Sequence, residues 1–398
     1  MTKFISAVSI IAGTAIGAGM LALPLTFAAV GLLWGSVILT LMSILMYFAA
    51  LLSLELNYNH GGKALSISSL SNIYINKFSS VVANIMLMLL LYALLAAYIS
   101  GTTSVLTKIY DFGISNQSLA LIATLVMGAV IVGQVKWLDR INKVLFLGML
   151  VLWGIIILIM SSTLELHSFL VLDETFHEHS LLKIIPIAFT SFGFHLSMPT
   201  VINYCKLDVK RFKLALFIGC FLPLLSYLVW TWSALAVIKS NDIDTFTKIM
   251  SRDADLGMMI NSLAAASSFP GLAILTKFFS LLAIVTSFFG VGIGLLDFFR
   301  EKFVKKGKEF SGQIISAIVT FSVPLVIAVA IPNAFVIALS AASIFLSVLA
   351  IILPAIALAN QRKSKKSKRI MPLDNVGLVI VILGGLLVIA AELFNNLW

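Results

Sequence analysis

The sequence predicts an all-α integral membrane protein with eleven membrane-spanning helices. Of the 398 residues, 60% are hydrophobic and 11% are charged, a composition typical of chains that have lipid as their solvent. Apolar stretches of about 20 residues, long enough to span a bilayer, recur along the whole chain. Lys and Arg cluster between these stretches, so the net charge of +10 indicates membrane topology rather than nucleic-acid binding.

Each apolar stretch is predicted to be helical, because lipid offers no hydrogen-bond partner to an open backbone. The first stretch could be mistaken for a signal peptide, but its length and the many similar stretches after it favour a span. The eleven predicted spans are 4–31, 33–56, 82–107, 118–135, 143–162, 181–204, 213–238, 270–297, 311–330, 333–358 and 375–394.

The loops between the spans predict the orientation. If the N-terminus is cytoplasmic, 21 of the 27 Lys and Arg residues lie on the cytoplasmic side and six lie outside, as the positive-inside rule requires. An odd number of spans then places the C-terminus outside. The basic run at 361–369 is predicted to anchor this topology, with contact to anionic membrane lipids as a further role.

Two predicted outer loops are long. The loop 163–180 is acidic and holds His167, His177 and His179. A solvated loop is favoured there over a metal site, because a His-x-His pair alone is a weak signal. The segment 239–269 is polar and then amphipathic, which predicts a surface helix.

The first span is weakened in its own middle. It reads IIAGTAIGAGMLALP at 10–24, with Gly13, Gly17, Gly19 and then Pro24. Glycine in a helix interior costs about 1 kcal/mol relative to alanine. We therefore predict a break, with Pro24 in the first turn of a new helix that starts near residues 20–23. The alternative is that the glycines only allow close helix packing.

The sixth span repeats this design. It reads IAFTSFGFHLSMPTVINY at 187–204, with Gly193 at its middle and Pro199 shortly after. Five spans separate this break from the one at Gly17, so the two halves have opposite topology. Paired broken helices in corresponding positions of inverted repeats indicate the binding site of a secondary transporter.

The breaks also predict the chemistry of the ligand. The helix start after Gly19 offers free N–H groups and suits a carboxylate, whereas the helix end before Gly193 offers free carbonyls and suits an ammonium group. An amino acid zwitterion has both. The carboxyl side chains nearest to the spans lie close to span ends, at Glu55, Asp297 and Glu392, which agrees with the cost of a charge at membrane depth.

The two broken-helix motifs resemble the hydroxy/aromatic amino acid permeases of bacteria, especially the tyrosine-specific type. The stretches LLAAYISG at 94–101 and TSFFGVGIGLLDF at 286–298 resemble that family as well. The family belongs to the amino acid–polyamine–organocation superfamily. The resemblance implies a location in the bacterial inner membrane, with the C-terminus periplasmic, and a LeuT-like fold of five plus five inverted helices with one extra helix. The implied units are 1–162 (first repeat), 181–358 (second repeat) and 359–398 (basic loop and last span).

The same resemblance implies the site residues. The backbone amides of Gly17, Ala18 and Gly19 would bind the substrate carboxylate, and residues 191–193 would receive its amino group. Leu196 stands where the family pattern has a glycine. The implied substrate-binding residues are Gly13, Thr14, Gly17, Ala18, Gly19, Tyr98, Ser191, Phe192, Gly193, Phe194 and His195.

Aromatic residues of the sixth span predict an aromatic substrate, with tyrosine first. Phe189, Phe192 and Phe194 would pack on the substrate ring, and His195 or Ser197 would pair with a phenol hydroxyl. The alternatives are tryptophan, phenylalanine or a broader range of neutral amino acids.

The coupling ion is predicted to be H⁺, with Na⁺ as the alternative, and no other cofactor is expected. A free histidine side chain titrates near neutral pH, and His195 lies at membrane depth, although it could serve only structure or substrate orientation. In sodium-coupled relatives, a hydroxyl pair such as Thr286 and Ser287 holds Na⁺ against carbonyls of the first span, here near Gly13 and Ile16. These hydroxyls could instead bond to their own helix.

Other function classes fit the sequence less well. A channel would need a filter loop or a ring of charge. A membrane enzyme would need clustered His, Asp or Glu at membrane depth, where the sequence places only His195. The sequence therefore predicts a carrier and no enzyme activity.

Overall fold

The computed structural model describes residues 2–133, 135–163, 181–206, 208–265, 270–304, 309–364, 368–372 and 374–395. All regular secondary structure within these ranges is helical. The predicted acidic loop with its three histidines lies, from residue 164 onward, outside the described residues.

The predicted number of spans is confirmed. In the part of the chain that the structure describes, ten apolar helices or helix runs are long enough to cross a membrane, and a bent pair of shorter helices makes an eleventh span. The bent pair is α1 (Thr2–Ala15) and α2 (Ala18–Phe27), and the next four spans are α3 (Leu32–His60), α5 (Lys77–Ile109), α6 (Asn116–Gly133) and α7 (Val135–Thr163). The sixth span contains α8 (Leu181–Ser191) and α9 (Met198–Cys205), and the remaining spans are α10 (Val209–Asn241), α13 (Pro270–Phe303), α14 (Glu309–Ala330), α15 (Ala334–Ser347) continued by a π-helical turn (Val348–Ile352) and α16 (Leu353–Ser364), and α17 (Asp374–Asn395).

Among the described residues, three short helices lie between the spans: α4 (Ile67–Tyr74), α11 (Ile243–Ser251) and α12 (Leu256–Ala265). The surface helix predicted within 239–269 corresponds to α11, and the helix that follows it was not predicted. The second helix, α12, is apolar and mostly buried, and it packs against α5 and α13. The N–H of Gly257 donates to Ser104 Oγ at 2.7 Å, which ties the start of α12 to α5.

The first span is broken at Ile16 and Gly17, where α1 and α2 meet at 51°. The new helix begins at Ala18, so the prediction that Pro24 occupies its first turn is wrong, and Pro24 lies inside α2. The reason is a tertiary contact, because the N–H of Ala18 donates to Ser287 Oγ at 3.2 Å. This side chain provides the helix start with a partner that the helix itself cannot supply.

The sixth span is interrupted between α8 and α9. Residues 192–194 are not helical, and a single 3₁₀ turn, His195–Ser197, leads into α9. Pro199 lies at the start of α9, where its missing N–H costs no hydrogen bond. Both predicted breaks are thus present, while the proposed division into repeats at residues 162 and 358 stays a prediction.

A buried ion pair fastens one end of the bundle. Glu55, near the end of α3, is fully buried. Its Oε1 lies 2.7 Å from both Nε and Nη2 of Arg362 in α16. Its Oε2 accepts from the backbone N–H groups of Ile370 and Met371 at 2.8 and 2.7 Å. One carboxylate therefore joins α3, α16 and the segment that leads to α17.

Candidate substrate site

A cavity of about 710 Å³ lies between the two breaks. Its walls come from both broken spans and from α3, α5, α7, α13 and α15. It extends past Ser66 and Ser68 beside α4 and reaches Glu301 near the end of α13. A cavity of this size is typical of small-ligand sites.

Most of the predicted site residues line this cavity. Thr286, Ser287 and Ile16, named as ion-coupling candidates, lie in its wall together with Gly13 and His195. The predicted substrate-binding residues in the wall are Gly13, Thr14, Gly17, Ala18, Gly19, Tyr98, Ser191, Gly193 and His195.

The phenylalanines of the sixth span do not line the cavity. Phe189, Phe192 and Phe194 are fully buried elsewhere in the core. Phe192 packs against Tyr227 with 5.2 Å between ring centroids, and Phe194 stacks on His195 at 4.4 Å. The three phenylalanines that were predicted to form an aromatic cavity wall therefore do not form it.

The aromatic side chains that do line the cavity come from other helices. They are Tyr98 in α5, Phe146 in α7 and Phe298 in α13. Phe146 lies over the first span, since a Cβ placed on Gly13 would be 3.1 Å from its ring. The sequence analysis missed Phe146, because a phenylalanine in an apolar span carries no signal of the direction it faces.

Ser287 sits at the first break. Its hydroxyl accepts from the N–H of Ala18 at 3.2 Å and donates to the carbonyl of Ala283 at 2.8 Å. A Cβ on Gly17 would lie 2.6 Å from Ser287 Oγ, so any larger residue would displace this hydroxyl from the N–H of Ala18.

Thr286 fits the alternative interpretation, in which its hydroxyl bonds to its own helix. Its hydroxyl donates to its own helix, with the carbonyls of Leu282 and Ala283 at 2.8 and 3.2 Å. The predicted pair of hydroxyls therefore lies beside the first break, and both donate within α13.

The two breaks touch each other. A Cβ on Gly19 would be 3.2 Å from both Cα and Oγ of Ser191, and Ser191 Oγ lies 3.4 Å from the carbonyl oxygen of Gly19. The same hydroxyl donates to the carbonyl of Ile187 at 2.8 Å. Gly19 is needed here because a larger residue would push the two segments apart.

The carbonyl of Ser191 already has a partner. It accepts from the hydroxyl of Tyr227 in α10 at 2.7 Å. Tyr227 therefore already donates to the carbonyl that was predicted to accept from the amino group of the substrate. In the same unwound region, Gly193 lines the cavity and its N–H donates to the carbonyl of Thr190 at 3.0 Å. Sequence reasoning missed Tyr227, although a tyrosine in the interior of a predicted span is a signal for a buried partner.

Three polar atoms in the cavity wall are buried without a hydrogen-bond partner among the described residues. They are Thr190 Oγ1, His195 Nδ1 and Asn142 Oδ1. Buried polar groups are normally paired, so unpaired ones in a cavity wall point to a ligand or bound water. The sequence analysis named His195 and missed Thr190 and Asn142.

The hydrogen bond of His195 fixes its tautomer. Its Nε2 lies 3.0 Å from the carbonyl oxygen of Met46, and a carbonyl only accepts, so Nε2 carries the proton. Nδ1 of the neutral ring is then an acceptor. The site therefore offers a ring acceptor that would pair with a hydroxyl or an N–H.

Comparisons with known proteins indicate a family of permeases. A sequence model described as the tryptophan/tyrosine permease family matches residues 1–392. The chain is 31% identical over 392 residues to the "Tyrosine-specific transport system 1" of Haemophilus influenzae, a match that covers 98% of this chain and 96% of that protein. It is 30% identical over 401 residues to the "Tryptophan-specific transport protein" of the same organism, covering 98% and 95%.

A solved structure supports the fold. A mutant of the Eremococcus coleocola manganese transporter superposes with a TM-score of 0.63 at 13% identity, covering 98% of this chain and 85% of that one. At this identity the likeness concerns the fold alone, and it confirms the predicted LeuT-like architecture.

Proposed function

The chain belongs to the tryptophan/tyrosine permease family, and from this membership we propose that it imports tyrosine by proton symport. It is a multi-pass membrane permease for an aromatic amino acid and not an enzyme. The observation that supports the finer proposal best is the cavity between the two breaks, with its aromatic wall and unpaired polar atoms. We place the protein in the bacterial inner membrane, with a cytoplasmic N-terminus and a periplasmic C-terminus.

The substrate carboxylate is proposed to bind at the start of α2. Helix starts carry free N–H groups and partial positive charge. Ser287 already accepts from the N–H of Ala18, so the N–H groups of Gly17 and Gly19 beside it are the proposed donors. Neither glycine has a side chain that would keep the carboxylate at a distance.

The ammonium group is proposed to bind at the second break. The Ser191 carbonyl is engaged by Tyr227. We therefore assign the ammonium to the carbonyl of Gly193 and to Thr190 Oγ1, whose hydroxyl is buried without a partner among the described residues. These two acceptors are neutral, so the site avoids the cost of a fixed charge in the membrane.

The substrate ring is proposed to lie between Tyr98 and Phe146, with its polar edge at His195. An acceptor-only Nδ1 pairs with a phenol hydroxyl and rejects phenylalanine, which has no ring donor. Tryptophan is the second candidate, because its indole N–H is also a donor and a relative of this chain is described as tryptophan-specific.

Replacing His195 should change the choice between substrates. His195→Leu removes the ring acceptor, and we expect tyrosine uptake to fall about tenfold relative to phenylalanine uptake. His60→Leu is the matched control, because His60 bonds to Tyr74 outside the cavity. Competition assays against labelled tyrosine measure the effect. Equal inhibition by tyrosine, leucine, alanine and glutamine in the wild type would contradict an aromatic substrate.

Coupling to protons can be tested directly. The hydroxyls of Thr286 and Ser287 both donate within α13, which leaves oxygen lone pairs for a cation, so the choice between H⁺ and Na⁺ is made by experiment. We expect uptake into cells to collapse with a protonophore and to persist when potassium replaces sodium. Strict sodium dependence that is lost in Thr286→Ala would replace the proton proposal with a sodium site at α13.

Counterflow in proteoliposomes tests the transport function itself. Vesicles loaded with unlabelled tyrosine should accumulate external labelled tyrosine above equilibrium, which a carrier produces and a channel does not. Uptake measured across the twenty amino acids then tests the substrate assignment. An absence of counterflow with every aromatic amino acid would contradict the proposal.

A further inference from the structure

Tyr227 connects the two breaks to each other. Its side chain is fully buried in α10. Its hydroxyl lies 2.7 Å from the carbonyl oxygen of Ala15 and 2.7 Å from that of Ser191. Ala15 is the last residue of α1 and Ser191 is the last residue of α8. One side chain thus reaches the end of both half-helices, at the point where each chain unwinds.

The two carbonyls need such a donor. The last carbonyls of a helix have no partner inside the helix, and a buried carbonyl without a donor is costly. The N–H groups that would continue the helices are displaced by the breaks. Tyr227 supplies the missing donor from a third helix, and its ring is held by the edge-on contact with Phe192.

The donor is shared. A phenol has one proton, so the two carbonyls share a single donor, in turn or through a three-centre hydrogen bond. If either half-helix moves away, the hydroxyl stays bonded to the other one and loses no hydrogen bond. A shared donor therefore suits two segments that stay together around a ligand and separate during a transport cycle.

We propose that Tyr227 is a positioning residue that joins the two unwound segments and thereby sets the geometry of the substrate site. This inference rests on the proposed function for the identity of the substrate. It does not require Tyr227 to touch the substrate, since Tyr227 does not line the cavity. It acts through Ala15 and Ser191, which do.

The test compares two tyrosine-to-phenylalanine variants. Tyr227→Phe keeps the ring and removes the hydroxyl. Tyr92→Phe is the matched control, because the Tyr92 hydroxyl also donates to a backbone carbonyl, that of Val319 at 2.9 Å, away from the cavity wall. We expect Tyr227→Phe to raise the KM for tyrosine about tenfold with Vmax per folded protein within about twofold, and Tyr92→Phe to leave KM unchanged. An unchanged KM in Tyr227→Phe, or an equal rise in both variants, overturns the proposal.

Hydrogen–deuterium exchange tests, without any substrate, whether Tyr227 joins the two unwound segments. Tyr227→Phe should speed exchange in both segments, 13–19 and 188–194, whereas Tyr92→Phe should speed it in neither. Faster exchange in only one segment, or in neither, overturns the proposal that Tyr227 joins them. If the wild type transports no aromatic amino acid, the proposed function fails, and the exchange result still shows whether Tyr227 joins the two segments. If Tyr227→Phe does not fold, Phe192→Leu, which removes the ring contact that holds Tyr227 in place, is compared with Tyr92→Phe in the same exchange measurement, and unchanged exchange in both segments overturns the proposal.

Discussion

Gly19→Leu should abolish uptake while the protein still reaches the membrane. The Cβ alone would lie 3.2 Å from the backbone of Ser191, which is tighter than ordinary contact, and the rest of a leucine side chain needs far more room. The two breaks would be forced apart, and the leucine would cover N–H groups at the start of α2. The proposed binding places of the substrate carboxylate and ammonium group are then both displaced. We therefore expect uptake below about 1% of wild type, a loss of roughly 2.7 kcal/mol or more in substrate stabilisation.

Gly154→Leu is the control for this variant. Gly154 lies in α7, and a Cβ placed on it meets no atom within 4 Å. The same substitution in another span should leave uptake near the wild-type value. The measurement is uptake of labelled tyrosine, divided by the amount of protein in the membrane fraction. Normal uptake by Gly19→Leu would remove the first break from the site.

The sequence was sufficient to locate both breaks, because a helix break is a local property. Glycines at Gly17 and Gly193 lower helix stability where they stand, and prolines follow each of them. The start of α2 was less predictable. It depends on the contact between Ala18 and Ser287, two residues that lie far apart in the sequence, so Pro24 gave the wrong position.

The faces of the helices could not be predicted in the same way. Both broken spans carry apolar residues on every side, so the sequence does not indicate which phenylalanines face the cavity. Phe192 was expected there and packs on Tyr227 instead, while Phe146 takes that place from α7. Tyr227 donates to a carbonyl on another helix, and the Thr190 hydroxyl is buried without a partner among the described residues. Both properties depend on how the helices pack, so the sequence alone does not indicate them.

Glu55 shows a similar limit. From the sequence it was a carboxylate close to the end of a span, where water could solvate it. In the structure it is fully buried and receives four hydrogen bonds or ionic contacts, two of them from Arg362. A run of basic residues follows Arg362 in the sequence, so the pattern did not single this arginine out as the partner of Glu55.

Glu55→Leu should destabilise the protein more than any surface charge substitution. It leaves the Arg362 guanidinium, whose side chain is 4% exposed, without its counter-ion, and it leaves the N–H groups of Ile370 and Met371 without an acceptor. Breaking a buried pair by removing one partner costs about 3–5 kcal/mol. Glu55→Gln should cost less, because its amide oxygen still accepts.

The control is Asp297→Ala, which removes an exposed ion pair with Arg300 at 3.5 Å and should cost under about 1 kcal/mol. Thermal unfolding in detergent measures all three variants. The double variant Glu55→Leu with Arg362→Met separates the two costs. It removes the unpaired charge and keeps the two orphaned N–H groups, so its stability should lie between that of Glu55→Leu and the wild type. A melting temperature for Glu55→Leu equal to that of Asp297→Ala would mean that the carboxylate does not fasten α3 to α16.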